Sequence, residues 1–478
     1  MKKRLVKMAV CLTMTTAILF SVTGCGRRTR NSDRAEDAVV KVGEASESNI
    51  EFGDEEGAEA ITDFGVRLLQ FCLEESANSL PSQASMPQSV YEMSVGERNL
   101  LISPSSILSA LIMTAGGAGG ETLRQMEEVF GMSVPALSAY LSEYQKSLSD
   151  NDRYHLNMAN AIWLTEDERF TVEQKFLETN ENLFGADVYR ASFDQSTLKE
   201  INEWVKENTC GMIEKILDEI PPAAVMYLVN ALAFDAEWQE IYHDYQVRDG
   251  RFTREDGKVQ DVKMMYSEET QYLEGEHGTG FLKYYADGKY AYAAILPEEE
   301  MTVAEYAASL TGEELRRMLT NPVEAVVQTA LPKYESAYEI EMSEIFEKMG
   351  MTDAFDEGRA DFSGIGHSTQ GNIFIDRVLH KTFIAVDDRG TKAGAATAVE
   401  IKDGCAALEE RSKTVYLDRP FLYVIVDCET MIPVFIGVVE DICLPEKKQS
   451  ISRLPSWVVL RFSIPRSQLP TFHYSVVK

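Results

Sequence analysis

Residues 390–402 are patterned like a β-strand but composed like a loop, and few folds can use such a stretch. From Gly390 to Ala398 every side chain except Lys392 is small. Alternate residues Thr391, Ala393, Ala395, Thr397, Val399 and Ile401 are all small or apolar. The intervening set, Gly390, Lys392, Gly394, Ala396, Ala398, Glu400 and Lys402, carries all the charge. A period of two places the sets on opposite faces of a strand, so one face is suited to burial in a sheet. Glycine and alanine are nevertheless poor strand residues. Two readings follow. One is a flexible Ala/Gly linker beside a sheet edge. The other is a segment that is a loop in one state and a strand in another.

The run Gly390-Thr391-Lys392-Ala393-Gly394-Ala395-Ala396-Thr397 resembles the hinge of the reactive-centre loop in inhibitory serpins. Asp418-Arg419-Pro420-Phe421 resembles that family's Asp-Arg-Pro-Phe signature, followed by candidate strands Leu422–Asp427 and Val434–Val439. The rest of the chain matches in family order. Asn99 to Leu111 reads as a short strand running into a helix, with Ser103 as cap and Pro104 in the first turn. With Gly117-Ala118-Gly119-Gly120-Glu121-Thr122 it is similar to the family's early signature. Further matches are Asn160 to Leu164, Ile201-Asn202-Glu203-Trp204-Val205, Thr209-Cys210-Gly211-Met212-Ile213, Leu331-Pro332-Lys333-Tyr334 and Ala360-Asp361-Phe362-Ser363. One match departs: the family's Phe-x-Gly-x-Trp reads Phe234-Asp235-Ala236-Glu237-Trp238, and a changed local turn is expected at Ala236. Outside these motifs, Asp287-Gly288 between two apolar runs of Phe281 to Pro297 signals a hairpin. The resemblance implies an α+β serpin fold, with mixed central β-sheets, about eight or nine helices and an exposed reactive-centre loop.

The amino end has its own logic. Lys2, Lys3, Arg4 and Lys7 precede an apolar run from Met8 to Val22, the pattern of an export signal and too short to span a bilayer. Val22-Thr23-Gly24-Cys25 resembles a bacterial lipobox, which implies cleavage before Cys25 and lipid on its thiol. The other reading is an ordinary cleavage site with a chance cysteine. The expected organisation is therefore a signal peptide over 1–24 and an acidic tether over 25–58. A serpin domain follows over 59–445, and then an extension, 446–478, of unknown role. Trp457, Val458, Val459, Leu460, Phe462 and Phe472 are apolar, yet the extension shows no cap and no clear period, and reads as unstructured.

Charge and composition exclude several functions. The net charge is −31, and loss of the four basic residues in 1–24 takes it to about −35. Such a surface disfavours nucleic acid and anionic lipid, leaving lipid on Cys25 as the membrane contact. Of the seven cysteines, Cys11 leaves with the signal and Cys72, Cys210, Cys405, Cys428 and Cys443 are scattered. Zinc spacing is absent, so no metal and no cofactor is expected, and the thiols read as free. The six histidines include no H-E-x-x-H, and G-x-S-x-G is missing. Ser103 or Ser106 with His380 are the candidates for a hydrolase, disfavoured by the lack of a nucleophile elbow.

The resemblance assigns those residues elsewhere. Asn99, Ser103, Ser106, Asn230 and His380 match the polar cluster beneath the central sheet, the shutter. Trp238, Lys333 and Asp388 match the breach, where the loop enters, with Asp388 expected to pair with Lys333. It implies a monomeric, exported inhibitor that a serine protease attacks as a substrate, after which the cut loop inserts as a new strand and traps the acyl-enzyme. Non-inhibitory binding or carriage is the alternative. Two new hydrogen-bonded ladders are worth on the order of 10 kcal/mol, and burial of Val399 and Ile401 about 2 kcal/mol each, so the uninserted state is expected to be kinetically trapped. The seventeenth residue counted from Asp388 is Gly404, which sets the scissile bond at Gly404–Cys405. Small flanking residues suit an elastase-like or subtilisin-like protease; a slip of one residue substitutes Asp403.

Overall fold

A computed structural model describes residues 55–79, 99–148, 153–209, 215–391, 412–442 and 454–464. The signal segment, Cys25, Ala393, Ala395, Ala396, Thr397, Gly404 and Cys405 lie outside the described residues.

Nine α-helices and three sheets are present among these residues. The first helix, Glu55–Ser79, buries Ile61, Phe64, Leu68, Leu69 and Cys72, a stripe at helical spacing. It begins at Glu55, and Ala58 is buried. The globular part therefore starts before the boundary read at residue 59. The helix Pro104–Ala115 is buried along its whole length; the Ser103 hydroxyl accepts from the Ser106 amide and Pro104 occupies the first turn.

A nine-stranded sheet carries the strands Phe421–Asp427 and Pro433–Val439 side by side next to its short end strand Leu100–Ile102, and every residue of both is buried. Its hairpin Gly278–Tyr284 to Tyr290–Pro297 turns at Asp287 and Gly288, both with φ near 60–70° (61° and 69°). That left-handed pair matches the twist of the flanking strands, which is why Asp-Gly marks the turn in sequence.

The strands of the central sheet are numbered here in chain order: β1 Tyr154–Thr165, β2 Asp187–Ala191, β3 Ala224–Glu237, β4 Tyr334–Glu341, β5 Phe374–Val386, β6 Gly390–Thr391 and β7 Leu454–Ser463. The spatial order is β4-β5-β7-β3-β1-β2, with β6 beside β3. Only β1 and β2 pair in parallel. The description of this segment stops at Thr391, paired with β3, and resumes before Lys413–Tyr416, a strand at the edge of the nine-stranded sheet. Ala236 lies in an uninterrupted β3, opposite Tyr154 on one side and Thr391 on the other; the expected local turn is absent.

β7 corrects the reading of the C-terminal extension. Leu454–Ser463 is a central strand, antiparallel to β5 and to β3. Val458, Leu460, Phe462 and Ile464 pack into the main core, whereas Val459 joins the cluster around Trp163 and Trp204 on the opposite face. Both faces are covered, so apolar residues fall at odd and even positions and the period-two signal is lost.

Candidate functional site

The site is the gap between β5 and β3 with its two ends, and it is built from the hinge downward. Gly390 has φ 151°, and a Cβ there would meet the Ala236 carbonyl oxygen at 2.3 Å and Glu237 Cα at 2.7 Å. Only glycine permits the turn and the close approach together. Thr391 is fully buried, and its hydroxyl meets the Tyr285 hydroxyl at 2.7 Å. Gly390 and Thr391, the described residues of this stretch, thus enter the sheet beside β3, pairing with Glu237 and Ala236.

Around this entry Trp238 fixes the preceding turn. Its amide donates to the Arg389 carbonyl (2.8 Å) and its indole N–H to the Asp387 carbonyl (2.9 Å), while the Tyr242 amide donates to the Asp388 carbonyl (2.8 Å). The Asp387 carboxylate closes the turn from inside, accepting from the Arg389 (2.8 Å) and Gly390 (3.3 Å) amides. Burial raises the Asp387 carboxyl despite these bonds. The Trp238 ring stacks on Tyr285 at 4.4 Å. Beneath it Lys283 Nζ lies 5.5 Å from the Trp238 ring, 4.4 Å from the Tyr242 ring and 2.8 Å from Glu269 Oε1. Burial pulls the Lys283 ammonium down, but Tyr242 and Glu269 outweigh it and the net shift is upward.

Lys333 Nζ pairs with Asp388 Oδ1. The side chains are 27% and 34% exposed, so solvent screens the pair and its coupling is modest. A double-mutant cycle through Lys333→Ala and Asp388→Ala is expected to read about 1 kcal/mol in unfolding free energy. Additive single effects would show that the contact adds nothing.

The polar cluster lies midway along the gap. Asn230 donates to Asn160 Oδ1 (2.8 Å) and accepts from the Ser106 hydroxyl. The Ser103 amide donates to His380 Nε2 (3.3 Å), and the Ser103 hydroxyl donates to the Val434 carbonyl (2.8 Å). All four sequence-selected residues are fully buried, and neither serine hydroxyl is directed at His380. A nucleophile–base arrangement is therefore not formed. Asn99 stands apart: it accepts from the Glu440 and Asp441 amides (2.8 and 2.9 Å) and donates to the Asp441 carbonyl (2.7 Å), pinning the chain after Pro433–Val439. Val458 of β7 is registered against both His380 and Asn230, so these two stand two strand spacings apart, about 9.6 Å.

Tyr285, Asp387, Asn160 and the Lys283–Glu269 pair were not selected from sequence. Asn160 carried a signal, a polar residue heading the apolar run Ala161 to Leu164 and directly opposite Asn230. The Tyr285–Thr391 and Lys283–Glu269 contacts join separate segments and leave no local trace, whereas Asp387 bonds amides two and three residues on. Among the described residues Cys72 and Cys428 are free thiols, each pushed up to about 12 by burial, and no acid–histidine–cysteine cluster could hold a metal.

The family described as Serpin (serine protease inhibitor) matches residues 83–442. The human protein Serpin B8 is 32% identical over 358 residues, covering 71% of this chain and 92% of its own length. An uncharacterized serpin-like protein of Thermococcus kodakarensis is 28% identical, covering 72% of this chain and 81% of its own. Among solved structures, the thermophilic serpin tengpin in its native state is 42% identical with a TM-score of 0.72, covering 83% of this chain and 96% of that one. Its latent state is 41% identical with a TM-score of 0.68, covering 82% and 99%. The matched family span stops short of β7, while it contains the hinge, the breach residues and the buried polar cluster, and with that coverage this chain belongs to the serpin family.

Proposed function

We propose that the chain is a suicide inhibitor of serine proteases that works by inserting its cleaved loop into the central sheet. The observation that supports this is β6: the hinge is already seated as the first two residues of a strand at the head of the gap between β5 and β3. The residues that would follow on the buried face, Ala393, Ala395 and Thr397, are small enough to enter a packed sheet without displacing neighbours. Gly404–Cys405 is the proposed scissile bond, and the small residues beside it favour elastase-like or subtilisin-like targets. We read the protein as an exported monomer held at a membrane through lipid on Cys25, its acidic tether spacing the domain from the surface.

A specific observation favours a second reading, a non-inhibitory binder: β7 occupies the gap that the loop would need. The test is therefore run on two chains, residues 26–478 as they are and the same chain carrying Val458→Asp and Leu460→Asp to release β7. Each is mixed with elastase-like, subtilisin-like, trypsin-like and chymotrypsin-like proteases and with a cysteine protease. A complex that survives boiling in SDS, with a released peptide beginning at Cys405, is the expected result for the released chain. Loop cleavage with no covalent complex from either chain would establish the binder.

A further inference from the structure

The gap between β5 and β3 is a binding site for an extended segment, and its occupant in this chain is not the loop. Extending β6 in register along β3 would place Ala393 opposite Phe234, Thr397 opposite Asn230, Val399 opposite Leu228 and Ile401 opposite Met226. β7 already fills those rows, with Leu454 opposite Phe234, Val458 opposite Asn230, Leu460 opposite Leu228 and Phe462 opposite Met226. Loop and tail therefore compete for the same rows of the same site, in the same orientation.

The site fits the tail better. On the face toward the core, Val458, Leu460 and Phe462 stand where the loop would bring Thr397, Val399 and Ile401; all three are fully buried, and each buries more apolar surface than its counterpart. The Phe462 ring meets Phe362 edge-on at 5.5 Å. On the other face Arg461 donates through Nε to Asp376 Oδ2 (2.6 Å) and pairs with it a second time through its terminal nitrogen, while the Ser463 hydroxyl donates to the same oxygen (3.2 Å). The loop residue that would replace Arg461 is Glu400. A carboxylate there could not make the Asp376 pair that holds the tail, although Arg377, the residue registered against this position, would meet it with opposite charge. Residues 443–453 give a reach of up to about 38 Å when extended, comparable to the length of β7 itself, which allows the tail to come from the same chain.

We propose that Leu454–Ile464 is a resident strand that closes the sheet against its own loop, so that trapping competence depends on displacing the C-terminal segment. Insertion past Thr391 must then break the β7 ladders before it forms its own. The sheet's gain on insertion is largely already taken, and the uninserted loop is no longer the poorly stabilised partner of an open gap. This rests on the loop-insertion reading for its consequence, but not for its structural part.

The test separates the two. Amide hydrogen exchange on residues 26–478 is expected to protect positions 458–463 to a degree comparable with 226–230 of β3; exchange at the rate of a free segment would overturn the proposal. A labelled peptide of sequence 391–402 is then offered to the natural chain, to Val458→Asp/Leu460→Asp and to the milder Arg461→Glu, with uptake followed by native mass spectrometry. The expected result is no uptake by the natural chain and stoichiometric uptake by the double variant. Arg461→Glu, which keeps every buried apolar residue, is expected to take up the peptide at an intermediate rate. A peptide of sequence 454–464 is expected to outcompete the loop peptide on the double variant by at least about tenfold, an advantage carried by its extra apolar area and the Arg461 pair. Uptake by the natural chain as fast as by the variants would sink the proposal. So would protected tail amides found only in a dimer or polymer on size exclusion, because the strand would then come from a second copy. No protease enters these measurements. A double variant that takes up peptide yet traps none of the proteases would remove the inhibitory reading and leave the resident strand standing.

Discussion

A chain carrying Thr391→Arg in the released Val458→Asp/Leu460→Asp background is expected to be cut by its protease and to retain none of it. Thr391 is fully buried between β3 and the Tyr285 hydroxyl. An arginine at this position must either carry its guanidinium into the buried site where Thr391 meets the Tyr285 hydroxyl or stay outside and unzip β6. Burying an unpaired charge costs several kcal/mol, and every 1.4 kcal/mol slows insertion tenfold against hydrolysis of the acyl-enzyme. The covalent complex should disappear from the SDS gel, with the number of inhibitor molecules consumed per protease rising by at least about tenfold. Loop cleavage itself should continue, since the scissile bond is far along the chain from the hinge. Thr391→Val is the control. It keeps the size and removes only the bond to Tyr285, a neutral pair worth about 1 kcal/mol, so trapping should persist with a few-fold loss at most. Equal trapping by the arginine and valine variants would mean that entry of the hinge into the sheet plays no part in inhibition.

What the sequence revealed, and what it hid, follows from how local each signal was. The alternation over 390–402 stands in the sequence itself, and of that stretch the described residues are Gly390 and Thr391, both buried. The Ser103-Pro104 cap and the Asp287-Gly288 turn were readable because backbone geometry demands those residue types within four positions. The Lys333–Asp388 contact came from resemblance, since nothing local connects residues 55 apart. β7 was missed for physical reasons. Its two faces are both covered, which mutes the alternation; Pro455 and Arg461 interrupt an apolar run of only ten residues; and the partners that make it a strand lie far back in the chain, in β3 and β5. The partner of Arg461 is Asp376, 85 residues back, so no local pattern marks this charge as part of a strand. The five residues expected at the shutter do not form one cluster: Ser106 and Asn230 bond one another, Ser103 bonds His380, Val458 stands between the two halves, and Asn99 serves the end of a different sheet.

Beneath the hinge, Glu269→Ala is expected to cost about 3–5 kcal/mol, more than deleting the cation it neutralises. The Lys283 side chain is 3% exposed and its Nζ lies 2.8 Å from Glu269 Oε1. Removing Glu269 leaves that ammonium buried with Tyr242, the face of Trp238 and the charge of Glu240 as its remaining partners, and an aromatic face returns about 1–2 kcal/mol of a larger desolvation cost. Lys283→Met removes the charge with the burial problem. Glu269 is left 14% exposed and still accepts from the Ser267 hydroxyl at 2.6 Å, so the expected loss is only about 1 kcal/mol. The pH dependence should run in opposite directions. In the natural chain the folded Lys283 is shifted above its ordinary value of 10.5, so its contribution is complete below that pH and fades as pH rises through the folded value. In Glu269→Ala burial prevails and the folded value falls below 10.5, so the variant regains stability as pH climbs toward 10.5. Thermal unfolding of both variants between neutral and alkaline pH reads these slopes. If Glu269→Ala instead lost stability with rising pH in parallel with the natural chain, Lys283 would not be held by Glu269. Trp238 fixes the hinge turn and rests over this ammonium, so the same variant should also loosen Gly390 and Thr391, visible as faster amide exchange at the entry to the sheet.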